Sequence, residues 1–117
     1  MNEQANDTRG ARLTHHSLRV WREALELVRV TRAAGIRDAV VRDQAHRAAV
    51  SVALNVAEGA GRVGKIRLQH FSIARGSVVE LVAAFEVAET LGETVAVEEV
   101  RERGAAVSRM LAGLLRG

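Results

Sequence analysis

An all-α, antiparallel up-down-up-down four-helix bundle is the architecture that this chain of 117 residues predicts, from three features of its sequence. Proline is absent, so no residue interrupts a helix by removing an amide donor and clashing with the preceding turn. Apolar residues recur at spacings of three and four in four separate stretches, the period of a helix with one buried face. Glycines stand between those stretches, at Gly35, across Gly59 to Gly64 and at Gly92, where short connections can turn the chain back. Hydrophobic residues make up 48% of the chain and aromatics only 3%, so Leu, Val, Ile and Ala must fill the interior. The length suits one modest core and not two.

Each element has its own signature. Residues 1–16 are polar and aperiodic and predict a mobile tail ahead of a bundle domain at 17–117, with Arg9, Arg12, His15 and His16 giving the tail a basic character. The first helix is expected after Ser17, a suitable N-cap, and to end near Ala34. Its apolar stripe is Leu18, Trp21, Leu25 and Val28, widened by Val20, Ala24 and Leu27. At that position Trp21 predicts a core or interface anchor more than a platform for stacking bases. The second helix is expected from about Asp38 to Glu58 with a slim face of Val41, Ala45, Ala48, Val52 and Val56, whose small side chains permit close approach. Beside that face Ser51, Asn55 and Glu58 form a polar ridge that needs hydrogen-bonding partners, and Arg75 and Glu80 on the next helix are the expected ones.

The third helix is predicted from about Lys65 to Leu91 by the heptad-like series Phe71, Ala74, Val78, Leu81, Phe85 and Ala88. Gly76 interrupts it at a cost of about 1 kcal/mol relative to alanine; close backbone packing is the expected compensation. A fourth helix follows from about Val95, with Thr94 as its cap, Glu98 and Glu99 in the first turn where the dipole favours anions, and Val100, Val107, Met110, Leu111 and Leu114 as its buried face.

The corner between the second and third helices invites a false reading. Gly59 to Gly64 fits G-x-G-x-x-G, and Gly59 to Lys65 fits the opening of a P-loop. A dinucleotide fingerprint must follow a buried strand, and here a helix precedes it. A P-loop requires Ser or Thr after its lysine, and Ile66 stands there. The corner glycines are expected instead to supply a left-handed cap ending one helix and the sharp turn that starts the next.

Composition narrows the function classes further. With no cysteine the chain has no disulfide and no thiolate metal site, and His15 and His16, adjacent on the chain, lack nearby carboxylate partners. No Glu-x-x-His motif occurs in the sequence, so neither an enzyme, a cofactor nor a resident metal is expected. No apolar run approaches the length of a membrane span and no charged-then-apolar leader opens the chain, from which a cytoplasmic protein with no membrane partner is expected. The net charge of +3 is uneven: residues 1–75 hold thirteen Lys or Arg against seven Asp or Glu, and the remainder four against seven. All cations but Lys65 are arginine, suited to bidentate contact with phosphate. The expected nucleic-acid-binding residues are Arg19, Arg22, Arg29, Arg47, Arg62, Lys65 and Arg67. With so few aromatics, recognition would be electrostatic or by shape, and salt-dependent. The alternative is a protein–protein scaffold that uses the acidic set Glu86, Glu89, Glu93, Glu98 and Glu102 and binds no nucleic acid.

Three stretches carry a resemblance: Leu18 to Ala24 (LRVWREA), Arg47 to Arg62 with its Asn55-Val-Ala-Glu58-Gly59 and glycine corner, and Phe71 to Leu81 (FSIARGSVVEL). With the ending Arg109 to Arg116, they resemble the four-helix-bundle proteins encoded by intervening sequences within bacterial 23S rRNA genes, over about Leu18 to Arg116. Ala53 stands where that family usually has proline, Ala60 where it has an aromatic, and the Gly35 to Arg37 loop is shorter than usual. The resemblance implies a ring-like homo-oligomer, expected to be a pentamer, and a distant likeness to the accessory proteins of diversity-generating retroelements. Those bind a reverse transcriptase and nucleic acid through a basic surface.

Overall fold

The computed structural model describes residues 12–116. A 3-10 turn at Thr14–Ser17 leads into four helices: α1 (Arg19–Ala34), α2 (Ala39–Ala60), α3 (Gly64–Thr90) and α4 (Val97–Arg116). No strand occurs among the described residues, and the protein is an all-α four-helix bundle. Of the tail expected over residues 1–16, residues 1–11, including Arg9, lie outside the described residues. Residues 14–16 already belong to the turn, where the Leu13 amide donates to His16 Nδ1 at 2.9 Å and His15 sets its edge on Trp21 with ring centroids 4.6 Å apart.

The helix ends differ from expectation in instructive ways. Leu18, not Ser17, occupies the N-cap of α1, because the 3-10 turn engages the Ser17 hydroxyl with the Thr14 carbonyl. Asp38 caps α2 as its residue type requires, accepting from the Val41 amide at 3.0 Å. α4 starts at Val97, two residues later than expected, since the Val97 amide turns back to the Val95 carbonyl and Thr94 makes no cap. Gly35 (φ 60°) and Gly92 (φ 90°) take left-handed conformations just beyond α1 and α3.

Helices α2 and α3 share the most extensive interface, α3 and α4 the next, and α1 and α4 the least, so that the four enclose one core. Its largest fully buried side chains are Phe71, Phe85, Leu27, Leu81 and Leu111. On α1 the buried face is Val20, Ala24, Leu27 and Thr31; Leu25 is exposed, while Leu18, Trp21 and Val28 pack at the edge. Thr31 tolerates burial because its hydroxyl donates to the Leu27 carbonyl at 2.7 Å. Ala45, Ala48, Ala49 and Ala53 let α2 lie close against its neighbours.

The corner corrects one expectation about glycine. α2 continues through Gly59 to Ala60, and Gly61 closes it with φ −88°, so no left-handed glycine ends this helix. Gly59 is helical for a packing reason: a Cβ there would sit 2.7 Å and 2.8 Å from two carbons of the Phe71 ring. The left-handed glycine of the corner is Gly64 (φ 61°), at the start of α3. Gly76 departs the other way. Its missing Cβ would meet nothing within 4 Å, so it is not the close backbone contact that the sequence suggested.

At the end opposite the corner, Glu93 closes the bundle. Its carboxylate accepts from the amides of Arg37 at 2.6 Å and Asp38 at 3.0 Å, tying the α3–α4 connection to the α1–α2 connection. Those two backbone donors hold its pKa below the ordinary carboxylate value.

Candidate nucleic-acid interface

The polar ridge of α2 meets α3 in a short chain of hydrogen bonds. Ser51 and Ser77 hydroxyls lie 2.8 Å apart, Asn55 Nδ2 donates to the Ser51 carbonyl at 3.0 Å and to the Ser51 hydroxyl at 3.2 Å, and His70 Nδ1 lies 3.0 Å from Asn55 Oδ1. Ser77 and His70 are therefore the partners of the ridge. Arg75 and Glu80, expected in that role, are exposed and make no hydrogen bond or ion pair with another described residue. Glu58 also stands apart, paired with Arg62 at 3.1 Å across one turn and the corner. The signal available for the true partners was spacing: His70 and Ser77 stand seven residues, two turns, apart on one face of α3.

Around this seam the surface is apolar. Val50 and Leu54 on α2 and Ile66 and Ile73 on α3 are 43%, 59%, 52% and 44% exposed. Val50 and Leu54 share a cleft with Ser51 and Asn55, and Ile66 and Ile73 stand one turn before His70 and Ser77 on α3.

The seven cations expected to bind nucleic acid fall into three groups. Arg19, Arg22, Arg47 and Lys65 are exposed without an ion pair to another described residue. Arg29 and Arg62 are exposed but paired, with Glu26 and Glu58. Arg67 is half-buried and structural: its guanidinium lies 4.9 Å from the Phe71 ring centroid and reaches the carbonyls of Gly59 at 3.5 Å and Ala60 at 3.4 Å, satisfying the end of α2.

Position along the bundle sorts the charges better than position along the chain. The Ser51–Ser77 contact lies about midway along α3; the part of α2 that enters the corner lies against the part of α3 that leaves it. The 3-10 turn packs on α2, with Leu13 to His15 sharing a cleft with Leu54, Ala57, Glu58 and Arg62, which places the start of α1 at the same end. Gly104 faces Val78 and Val82, and Arg101 reaches Glu86, so residues 107–116 of α4 lie there too. This corner half, residues 12–26, 51–77 and 107–116, carries Arg12, Arg19, Arg22, Arg62, Lys65, Arg67, Arg75, Arg109 and Arg116 against Glu23, Glu26 and Glu58, a formal +6. Residues 78–106 carry Glu80, Glu86, Glu89, Glu93, Glu98, Glu99 and Glu102 against Arg101 and Arg103, a formal −5. Arg29 and Arg47 lie outside the corner half, while Arg109 and Arg116 join it from the part of the sequence whose net charge is negative.

The acidic set is largely engaged internally. Arg101 bridges Glu86 at 2.9 Å and Glu98, which raises its pKa further; Arg103 meets Glu99 at 3.1 Å, and Glu93 serves the clasp. Glu89 and Glu102 are exposed and make no ion pair with another described residue. No group of three His, Cys, Asp or Glu side chains able to hold a metal ion occurs among the described residues, and no helix among them is long and apolar enough to cross a membrane.

Residues 16–113 match the family model of the 23S rRNA-intervening sequence protein. The chain belongs to that family. No curated protein matches it significantly. The 23S rRNA-intervening sequence match takes in α1, α2, α3 and most of α4, so the seam, the glycine corner and most of the basic end are parts of the family's domain and not additions to it.

Proposed function

We propose that this protein is a non-catalytic, cytoplasmic accessory protein that binds structured RNA, or another nucleic acid, through the corner end of an antiparallel up-down-up-down bundle, and that it acts as a ring-like homo-oligomer. The observation that carries the reading is the concentration of nine cations against three anions in the corner half. Such a field attracts polyphosphate, and each neutralised phosphate releases condensed counterions. Arginine forks suit phosphate oxygens, and the scarcity of aromatics favours backbone contact over base stacking. The antiparallel course is supported by the pairings of Asn55 with His70, Ser51 with Ser77 and Glu86 with Arg101. Self-association is supported by the exposed aliphatics Val50, Leu54, Ile66 and Ile73 on the two helices that form the half-buried seam, and a ring would multiply the protomer's charge. A reverse transcriptase is a candidate protein partner by the family likeness alone.

Fluorescence anisotropy of a labelled structured RNA, titrated at several salt concentrations beside a matched duplex DNA, tests the reading. Affinity should fall linearly in log–log form with salt, and alanine at both Arg62 and Lys65 should weaken binding and make the slope shallower by about one for each phosphate that is no longer neutralised. Absence of binding at low salt would overturn it in favour of the scaffold.

A further inference from the structure

His16 and His70 each make a hydrogen bond through Nδ1, and their partners assign that atom opposite roles. The Leu13 amide can only donate, so His16 Nδ1, 2.9 Å away, accepts and carries no proton. Asn55 turns Nδ2 to the Ser51 carbonyl, which can only accept, so Oδ1 is the atom that meets His70, and His70 Nδ1 at 3.0 Å carries the proton. A second proton on His70 therefore goes to Nε2 and leaves the seam bond standing. A second proton on His16 must go to Nδ1 itself, which sets one N–H against another. Histidine is the side chain whose charge ordinarily changes between about pH 5 and about pH 8.

The bond between Leu13 and His16 closes the turn that leads the fold. The His16 amide returns a bond to the Leu13 carbonyl at 3.1 Å, and the Leu18 amide donates to the His15 carbonyl at 3.0 Å where the turn passes into α1. Leu18 gives α1 no side-chain cap of its own. The turn lies on α2, where Leu13, Thr14 and His15 line one cleft with Leu54, Ala57, Glu58, Gly61 and Arg62. The surroundings oppose a charged His16 ring. The His15 ring centroid is 4.3 Å away, so two imidazolium rings would repel each other. Of the two helices packed against the turn, α1 brings Arg19, Arg22 and Glu23 at this end, and α2 brings Glu58, already engaged by Arg62 at 3.1 Å. We propose that the 3-10 turn is an acid-released cover on the corner end. Protonation of His16 at Nδ1 breaks its bond with the Leu13 amide, the turn leaves α2, and the surface of Leu54, Ala57, Gly61 and Arg62 opens while the Ser51–Asn55–His70 seam stays closed. The inference goes beyond the function proposed above and needs no nucleic acid.

Backbone 15N relaxation and imidazole 15N shifts of the full chain, recorded at about pH 8 and at about pH 5, are the test. At the higher pH His16 Nδ1 should be unprotonated and Leu13 to Ser17 should be as rigid as α1, with an order parameter of about 0.85. At the lower pH that parameter should fall below about 0.6 over the turn, while α2 and α3 keep theirs and His70 Nδ1 stays protonated. His16→Asn places Oδ1 where Nδ1 stood, accepts the same amide and does not titrate, so its turn should stay ordered at both pH values. His16→Ala removes the acceptor and should loosen the turn at both, and His15→Gln should keep the wild-type response. The proposal is overturned if His16 Nδ1 is protonated at the higher pH, if the wild-type turn keeps its order in acid, if His16→Asn loosens as wild type does, or if His15→Gln abolishes the response. Failure of RNA binding would remove the proposed function and leave each of these outcomes unchanged.

Discussion

Alanine at Gly59 and alanine at Gly76 should shift stability in opposite directions, although both glycines lie inside helices. In an open helix position, Gly→Ala gains about 1 kcal/mol from backbone entropy and helix propensity. Gly76 is such a position, with nothing within 4 Å of the added methyl, so Gly76→Ala should raise the melting temperature by about 4 °C. At Gly59 the same gain meets a methyl placed 2.7 Å and 2.8 Å from the Phe71 ring and 3.2 Å from the Arg67 carbonyl. The ring is fully buried, so relief must come from displacement of α2 against α3, at about 1–3 kcal/mol for overpacking. The balance runs from about zero to about 2 kcal/mol destabilising, leaving the two variants about 1–3 kcal/mol apart. Differential scanning calorimetry and urea titration of both variants measure that gap, and Phe71→Leu in the Gly59→Ala background should recover part of the loss. Equal stabilisation by both alanines would refute the packing argument.

Other outcomes follow from the clasp, the seam and the core. Glu93 has its folded-state pKa lowered by the Arg37 and Asp38 amides, so it contributes stability present above its unfolded pKa and lost as pH falls through the lower folded value. Unfolding midpoints of wild type and Glu93→Gln should therefore differ at neutral pH, with wild type the more stable, and converge in acid. Asn55→Ala removes the link between Ser51 and His70 and should cost about 1 kcal/mol in a urea melt, or disturb assembly in sedimentation. Undiminished stability with selective loss of ligand binding would reassign Asn55 to a binding role. Leu111→Ala, a fully buried truncation on α4, should cost about 2–5 kcal/mol by the same melt.

Helix number and most boundaries were legible because apolar periodicity and absent proline report directly on the buried faces and on backbone continuity. The misses share a cause, which is contact between residues distant in sequence. Gly59 looked like a helix terminator, since sequence does not disclose that an aromatic 12 positions onward occupies the space of its side chain. Arg75 and Glu80 looked like partners for the α2 ridge because a hairpin about the glycine corner brings their turns near it, while the register of α2 on α3 brought His70 and Ser77 there instead. Glu93 read as part of an acidic surface, because a carboxylate directed at two backbone amides 55 and 56 residues away leaves no local trace. The charge of the sequence halves anticipated an imbalance, but it assigned Arg109 and Arg116 to the acidic part and Arg29 and Arg47 to the basic one.

The unequal helix interfaces also predict how the fold opens. α2 and α3 share the broadest contact and the seam, whereas α1 and α4 meet along the narrowest one. Sub-global opening should begin where least is buried, at the α1–α4 junction, with Glu93 as the latch that resists it at one end. Amide exchange should then fall into two classes, with the interior amides of α2 and α3 slowest and those of α1 and α4 released at lower free energy. The hairpin would be the last part of the native state to unfold.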